Sequence, residues 1–154
     1  MKLSSILVPL KGTPLDDEVL QLAFLLAAPT GDRRPKQRVQ VEVIHIVEVP
    51  QALPLDAELP EAVQQGEAVL THAEEVARQR DIEIHPEMLQ ARHAGTAIVD
   101  EAVERGADLI IMGYEYRRRH GEFTSGATAP YVLKNAPCRV WLVRGPRPEP
   151  EPGK

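Results

Sequence analysis

Positive charge, aromatic rings, cysteine and long apolar runs are all scarce in this chain. Lys and Arg number 18 against 23 Asp and Glu, a net charge of -5. A general nucleic-acid binder displaces counterions with clustered cations, so nucleic acid is not an expected partner. The one basic cluster is local, at Arg117, Arg118 and Arg119. A single cysteine, Cys138, rules out an internal disulfide and a cysteine cage for a metal. Aromatic residues make up 4% of the chain, so the core has to be built from Leu, Ile, Val and Ala. No apolar run approaches the roughly 20 residues of a membrane span. The opening "MKLSSILVPLKG" is too short and too strand-like for a signal peptide, so a cytoplasmic protein is expected. Phosphate-loop, nucleophile-elbow and paired-histidine metal signatures are missing, and no catalytic or metal-ligating residue is assigned.

What is present alternates strand with helix. The 154 residues fit one domain, expected over 1–145, with a disordered tail "PRPEPEPGK" at 146–154. "SSILVPL" reads as a strand buried on both faces, stopping at Lys11-Gly12. The helix that follows has Thr13 as N-cap, Pro14 first, Asp16 at the capping-box position, and Leu15, Val19, Leu22 and Leu26 on one face. "VQVEVIHIVEV" is a second strand, and a helix runs from about Glu58 to Arg80 after a proline-broken loop. "IEIHPEML" is a weaker strand that Pro86 consigns to an edge or a bulge. A helix capped by Thr96 and stopped by Gly106 follows, then the strand "ADLIIMG". A last helix has Thr128 as N-cap and Ala129 first, and "CRVWLVR" closes the pattern. Five strands alternating with four helices predict a single doubly wound α/β domain with a parallel sheet. Ligands in such folds bind beyond the carboxyl ends of strands where the strand order switches. That places "PLKGT" and "MGYEY" beside any ligand.

The segments "ILVPLKGT", "VIHIVEVP", "ARHAGTAIVDEA", "ADLIIMG" and "SGATAPYVLKNAPCRVWLVR" together resemble the universal stress protein family over nearly the whole ordered chain. The resemblance implies a five-stranded sheet of order 3-2-1-4-5. It also implies a homodimer joined through the last strand, at Arg139, Val140, Trp141, Leu142 and Val143. An end strand would otherwise leave unpaired backbone groups, so the pairing is physically sound. Trp141 is expected in the core under a helix, with the partner contact as the other option.

Nucleotide-binding members of the family carry G-x2-G-x9-G and a hydroxyl residue after the fourth strand, with an aspartate after the first. Here the register survives as Gly113, Tyr116, Gly126 and Ala127, and Lys11 stands at the aspartate position. Tyr116 brings a Cβ and a ring where glycine would let the backbone approach phosphate. It could block the phosphate path, stack on a base or cover an empty cleft. Ala127 cannot donate a hydroxyl hydrogen bond, and Thr128, Ser125 or Thr124 could substitute only if the turn rotates. Lys11 has three donors and no acceptor, so it cannot take the hydrogen bonds of a ribose. His45 reads as a hydrogen-bonded core residue, His120 as surface and Cys138 as a small buried filler.

Three functions are therefore weighed. The first is a dimeric stress-response module with a degenerate ATP site that works through protein contacts. The second is an ATP or AMP binder with an altered loop, carried by Pro9, Lys11, Gly12, Thr13, Ile46, Met112, Gly113, Tyr116, Gly126, Ala127 and Thr128. The third is slow nucleotide hydrolysis, for which Glu115 and Glu122 are the nearest acids. The first is preferred.

Overall fold

The computed structural model describes residues 2–29, 38–119, 122–125 and 127–146, with only the backbone of 116–119 and 122–125. In chain order the elements are β1 (Ser5–Leu10), α1 (Leu15–Ala27), β2 (Gln40–Glu48), α2 (Pro60–Gln79), β3 (His85–Ala91) and α3 (Ala94–Arg105). They continue with β4 (Leu109–Tyr114), β5 (Tyr116–Arg119), β6 (Glu122–Ser125), α4 (Thr128–Asn135) and β7 (Arg139–Arg144). The main sheet is parallel throughout, in the order β3-β2-β1-β4-β7. Numbered by the sheet's own strands, that is the expected 3-2-1-4-5, and β3 with Pro86 is indeed an edge.

Alternation along the strands splits the core in two. Ile6, Val8 and Leu10 of β1 join Val41, Val43, Leu109 and Ile111 beneath Val19, Leu20, Ala23 and Phe24 of α1 and Leu70 and Ala73 of α2. Leu7, Ile44, Ile110 and Met112 face the other way, against Ile98 and Ala102 of α3 and Val132 of α4. This is what a sheet buried on both faces requires of residues spaced two apart. The buried stripe of α1 differs from expectation: Val19, Leu20, Ala23 and Phe24 are fully buried, whereas Leu15, Leu22 and Leu26 are only partly so. Phe24, the largest side chain of the helix, takes the inward direction and rotates the stripe toward itself.

Three caps shift. Helix α1 begins at Leu15 with Pro14 preceding it, and its cap position makes no side-chain bond. Helix α3 begins at Ala94, so Thr96 lies inside it and His93 stands at the cap. Gly95 is thereby placed against the Tyr131 ring of α4, where a Cβ would lie 3.0 Å from Cδ1. Helix α4 starts at Thr128 itself, with Ala127 at the cap, one residue earlier than anticipated. Gly106 ends α3 in the left-handed region at φ +62°, as expected. The stretch after β4, read as a loop, contains the antiparallel pair β5 and β6, with Tyr116 opposite Ser125 and Arg119 opposite Glu122.

Trp141 is not core. It is 40% exposed on the outermost strand, while Val143 on the same face is half-buried. Cys138 is likewise only partly buried, not a sealed filler. The proline-broken connection between β2 and α2 is firmly held. The Arg92 guanidinium donates to the carbonyls of Pro50 (2.6 Å) and Leu53 (2.7 Å). The Gln90 amide donates to those of Leu55 (2.9 Å) and Ala57 (3.1 Å). The predicted tail from 147 onward lies outside the described residues. Among those described, no helix is long and apolar enough to cross a membrane.

Candidate functional site

A cavity of about 140 Å³ opens at the carboxyl ends of β1, β2 and β4. Strand β1 pairs with β2 on one side and β4 on the other, so this is the switch point of the sheet. Its floor is apolar, from Pro9, Ile46 and Met112 of the strands and Ile98 of α3. Its rim is polar, from Lys11, Thr13, Asp16, Glu48, Glu115 and Thr128. Of the expected site residues, Pro9, Lys11, Thr13, Ile46, Met112, Gly113 and Thr128 line the cavity together. Gly12 and Ala127 do not contribute to its wall, Gly126 falls outside the described residues, and of Tyr116 only the backbone is described.

Each wall has a local cause. His45 donates through Nδ1 to the carbonyl of Leu10 at 2.9 Å, which ties β2 to the last residue of β1. A carbonyl only accepts, so Nδ1 carries the proton of the ring. The bond satisfies a half-buried imidazole, in keeping with the core role expected of it. Gly113 is small for a packing reason: a Cβ there would lie 3.0 Å from Leu15 Cδ2 of α1. Gly12 holds φ +89°, and a Cβ on it would meet Val69 Cγ2 at 2.9 Å.

Asp16 is the residue that sequence reasoning places but undervalues. Its carboxylate accepts from the backbone N–H of Gly12 (2.7 Å, Oδ2) and of Lys11 (3.2 Å, Oδ1), and also from that of Thr13. Burial raises its carboxyl above the ordinary aspartate range, with Glu115 adding to the rise and the three N–H groups opposing it. The capping-box spacing is a legible signal, because an acid three residues past Thr13 folds back over the strand-end loop. Glu48, Leu10, Ala94 and Ile98 were missed, and their positions at strand ends and at the start of α3 are signals available only once the strand order is known.

The rim thus carries the carboxylates of Asp16, Glu48 and Glu115 against the single ammonium of Lys11. Among the described residues, no group of three or more His, Cys, Asp or Glu side chains could hold a metal ion. The apolar floor suits a flat ring, whereas the rim gives a polyphosphate few charges to bind.

Known proteins share this arrangement. The chain is 29% identical over 150 residues to universal stress protein MJ0531 of Methanocaldococcus jannaschii, covering 94% of this chain and 84% of that one. The universal stress protein of Archaeoglobus fulgidus in complex with dAMP superposes with a TM-score of 0.66 at 23% identity, over 92% of this chain and 98% of that one. Protein MJ0577 superposes with a TM-score of 0.75 at 14% identity, over 96% of this chain and all of that one. Both solved structures have the fold found here. The family model described as Universal stress protein family matches residues 2–144. With that match over nearly its whole length, and with the sheet order and switch-point cavity in place, this chain belongs to the universal stress protein family.

Proposed function

We propose that the protein is a dimeric stress-response module of the cytoplasm whose cavity no longer serves ATP in a triphosphate mode. The supporting observation is the rim. The register of a nucleotide loop is kept, yet Lys11 replaces an acceptor, Ala127 replaces a hydroxyl, and Asp16 and Glu115 present carboxylates to the cavity. Like charge beside a phosphate is repulsive, and more so where water is partly excluded. No residue is given a catalytic role.

A second reading has its own support. The floor of Pro9, Ile46, Ile98 and Met112 is intact, and relatives of this fold have been solved with dAMP and cAMP bound. In that reading an adenine compound sits on the floor in an altered mode.

Calorimetry with ATP, ADP and AMP, each with and without magnesium, separates the two. The first reading expects no saturable ATP binding tighter than roughly 100 μM, about 5.5 kcal/mol. Tighter binding favours the second. The dimer is proposed to form through β7, where Trp141 is exposed on an edge strand. Sedimentation of the protein and of Trp141→Glu tests it: the substitution should turn a dimer into a monomer. A wild-type monomer at all concentrations would end that proposal.

A further inference from the structure

The backbone N–H groups of Lys11, Gly12 and Thr13 converge on one anion, and that anion is the protein's own. Consecutive amides point to a common centre only where the chain takes an unusual turn, which Gly12 provides at φ +89°. Such concavities of successive N–H groups are general anion sites, and phosphate is their commonest guest. Here the guest is the Asp16 carboxylate, 2.7 Å from Gly12 N and 3.2 Å from Lys11 N. The loop and the carboxylate both line the switch-point cavity, so the occupied concavity faces the ligand space.

We propose that Asp16 is an internal competitor for phosphate, which makes the cavity selective for uncharged nucleoside-like ligands over their phosphates. This rests on the reading of the cavity as a ligand site that has given up its triphosphate mode. An incoming phosphate finds the strand-end amides already taken and meets the charge of Asp16, with Glu115 close enough to add to it. Lys11 remains at the rim as a cation, and it would serve a phosphate once Asp16 were gone. The loop therefore retains an anion-binding geometry while its specificity is reversed.

The test uses sulfate and pyrophosphate as probes, because they need no contact with the apolar floor. Wild type, Asp16→Asn and Asp16→Ala are titrated by calorimetry at neutral pH, with Asp17→Asn as a surface-charge control. The neutral variants should bind pyrophosphate roughly tenfold to hundredfold more tightly than wild type, the range expected when one charge-assisted hydrogen bond is added. Asp17→Asn should leave the affinity as it is. Equal affinity in wild type and folded Asp16→Asn overturns the inference, as does a folded Asp16→Asn that takes no pyrophosphate. Should Asp16→Ala not fold, Asp16→Asn keeps one acceptor for the loop and carries the test. A second arm titrates sulfate, whose charge is constant, between pH 5 and 8. Lys11, Glu48, Glu115 and His45 also face the cavity, so only the part of the pH dependence that Asp16→Asn lacks is assigned to Asp16. That part must strengthen binding as pH falls, and its absence overturns the inference. Adenosine and AMP complete the set. If adenosine binds neither protein, the ligand reading of the floor fails, while pyrophosphate still decides the role of Asp16.

Discussion

Gly66 of α2 lies so close to His45 of β2 that a Cβ on it would stand 2.7 Å from the imidazole Cδ2. Met88 Cε closes the same space from β3, 2.8 Å from that point. The ring cannot retreat without loosening its bond to the Leu10 carbonyl at the cavity. Gly66→Ala gains helix propensity worth about 1 kcal/mol, but overpacking costs more. A net loss of about 1–2 kcal/mol is expected in urea unfolding. A gain in stability would mean that the imidazole moves freely, and the packing argument would be wrong.

Arg105 gathers three carboxylates from three elements. Its guanidinium donates to Glu42 of β2 at 2.7 Å, to Glu101 of its own helix at 2.8 Å, and to Glu87 of β3. Burial disfavours the cation, and the three acids more than offset it, holding Arg105 above the ordinary arginine range. Glu42 and Glu101 are only 19% and 18% exposed, so removing the arginine strands two poorly solvated charges. Arg105→Ala should cost about 3 kcal/mol, the low end for a broken buried pair. Arg105→Lys should recover only part of it, since an ammonium lacks the planar fork. Thermal unfolding of both variants checks this, and equal stability of Lys and Arg would count against the fork.

Gly106 isolates a backbone effect. It sits at φ +62° with no atom within 4 Å of a Cβ placed there, so no clash confuses the result. Gly106→Ala should therefore lose about 1 kcal/mol from conformation alone, and Gly106→Asn less. Denaturant midpoints with unchanged slopes would establish it.

Cys138 bears on pH. Burial raises its thiol above the ordinary cysteine value, with the charge of Asp108 adding to the effect and a bond with the Ile110 backbone opposing it. A raised folded value means that the unfolded chain ionises first as pH increases. The stability from the neutral thiol is thus whole below about pH 8.5 and declines above it. Cys138→Ser should remove that alkaline decline, and alkylation of the native thiol at pH 8 should be slower than that of an unstructured peptide thiol. Fast alkylation would contradict the burial argument.

Much of the fold is legible in the sequence, and the failures share a cause. The strand pattern of "ILVPL", "VEVIHIV" and "LIIMG" names the sheet because buried parallel strands have few sequence solutions. Seven expected residues meet in one cavity because strand ends converge there by topology. The caps expected at Thr13, Thr96 and Thr128 are displaced because good capping residues one or two positions apart compete, and tertiary packing chooses between them. Trp141 defies its apolar character because alternation tells the face of a strand but not its distance from the nearest helix. Gly113 suggests backbone freedom by its position in the motif, whereas its approach to Leu15 is a matter of volume.

The carbonyls that Arg92 and Gln90 gather from Pro50, Leu53, Leu55 and Ala57 have a thermodynamic meaning for the cavity. The segment they hold leaves β2 directly after Glu48, which is on the cavity rim. Ordering a residue costs roughly 1–2 kcal/mol of conformational entropy, and here folding has already met that cost for the whole stretch. A ligand arriving beside Glu48 finds a wall whose freedom was surrendered before it came, and keeps that part of its binding energy for discrimination.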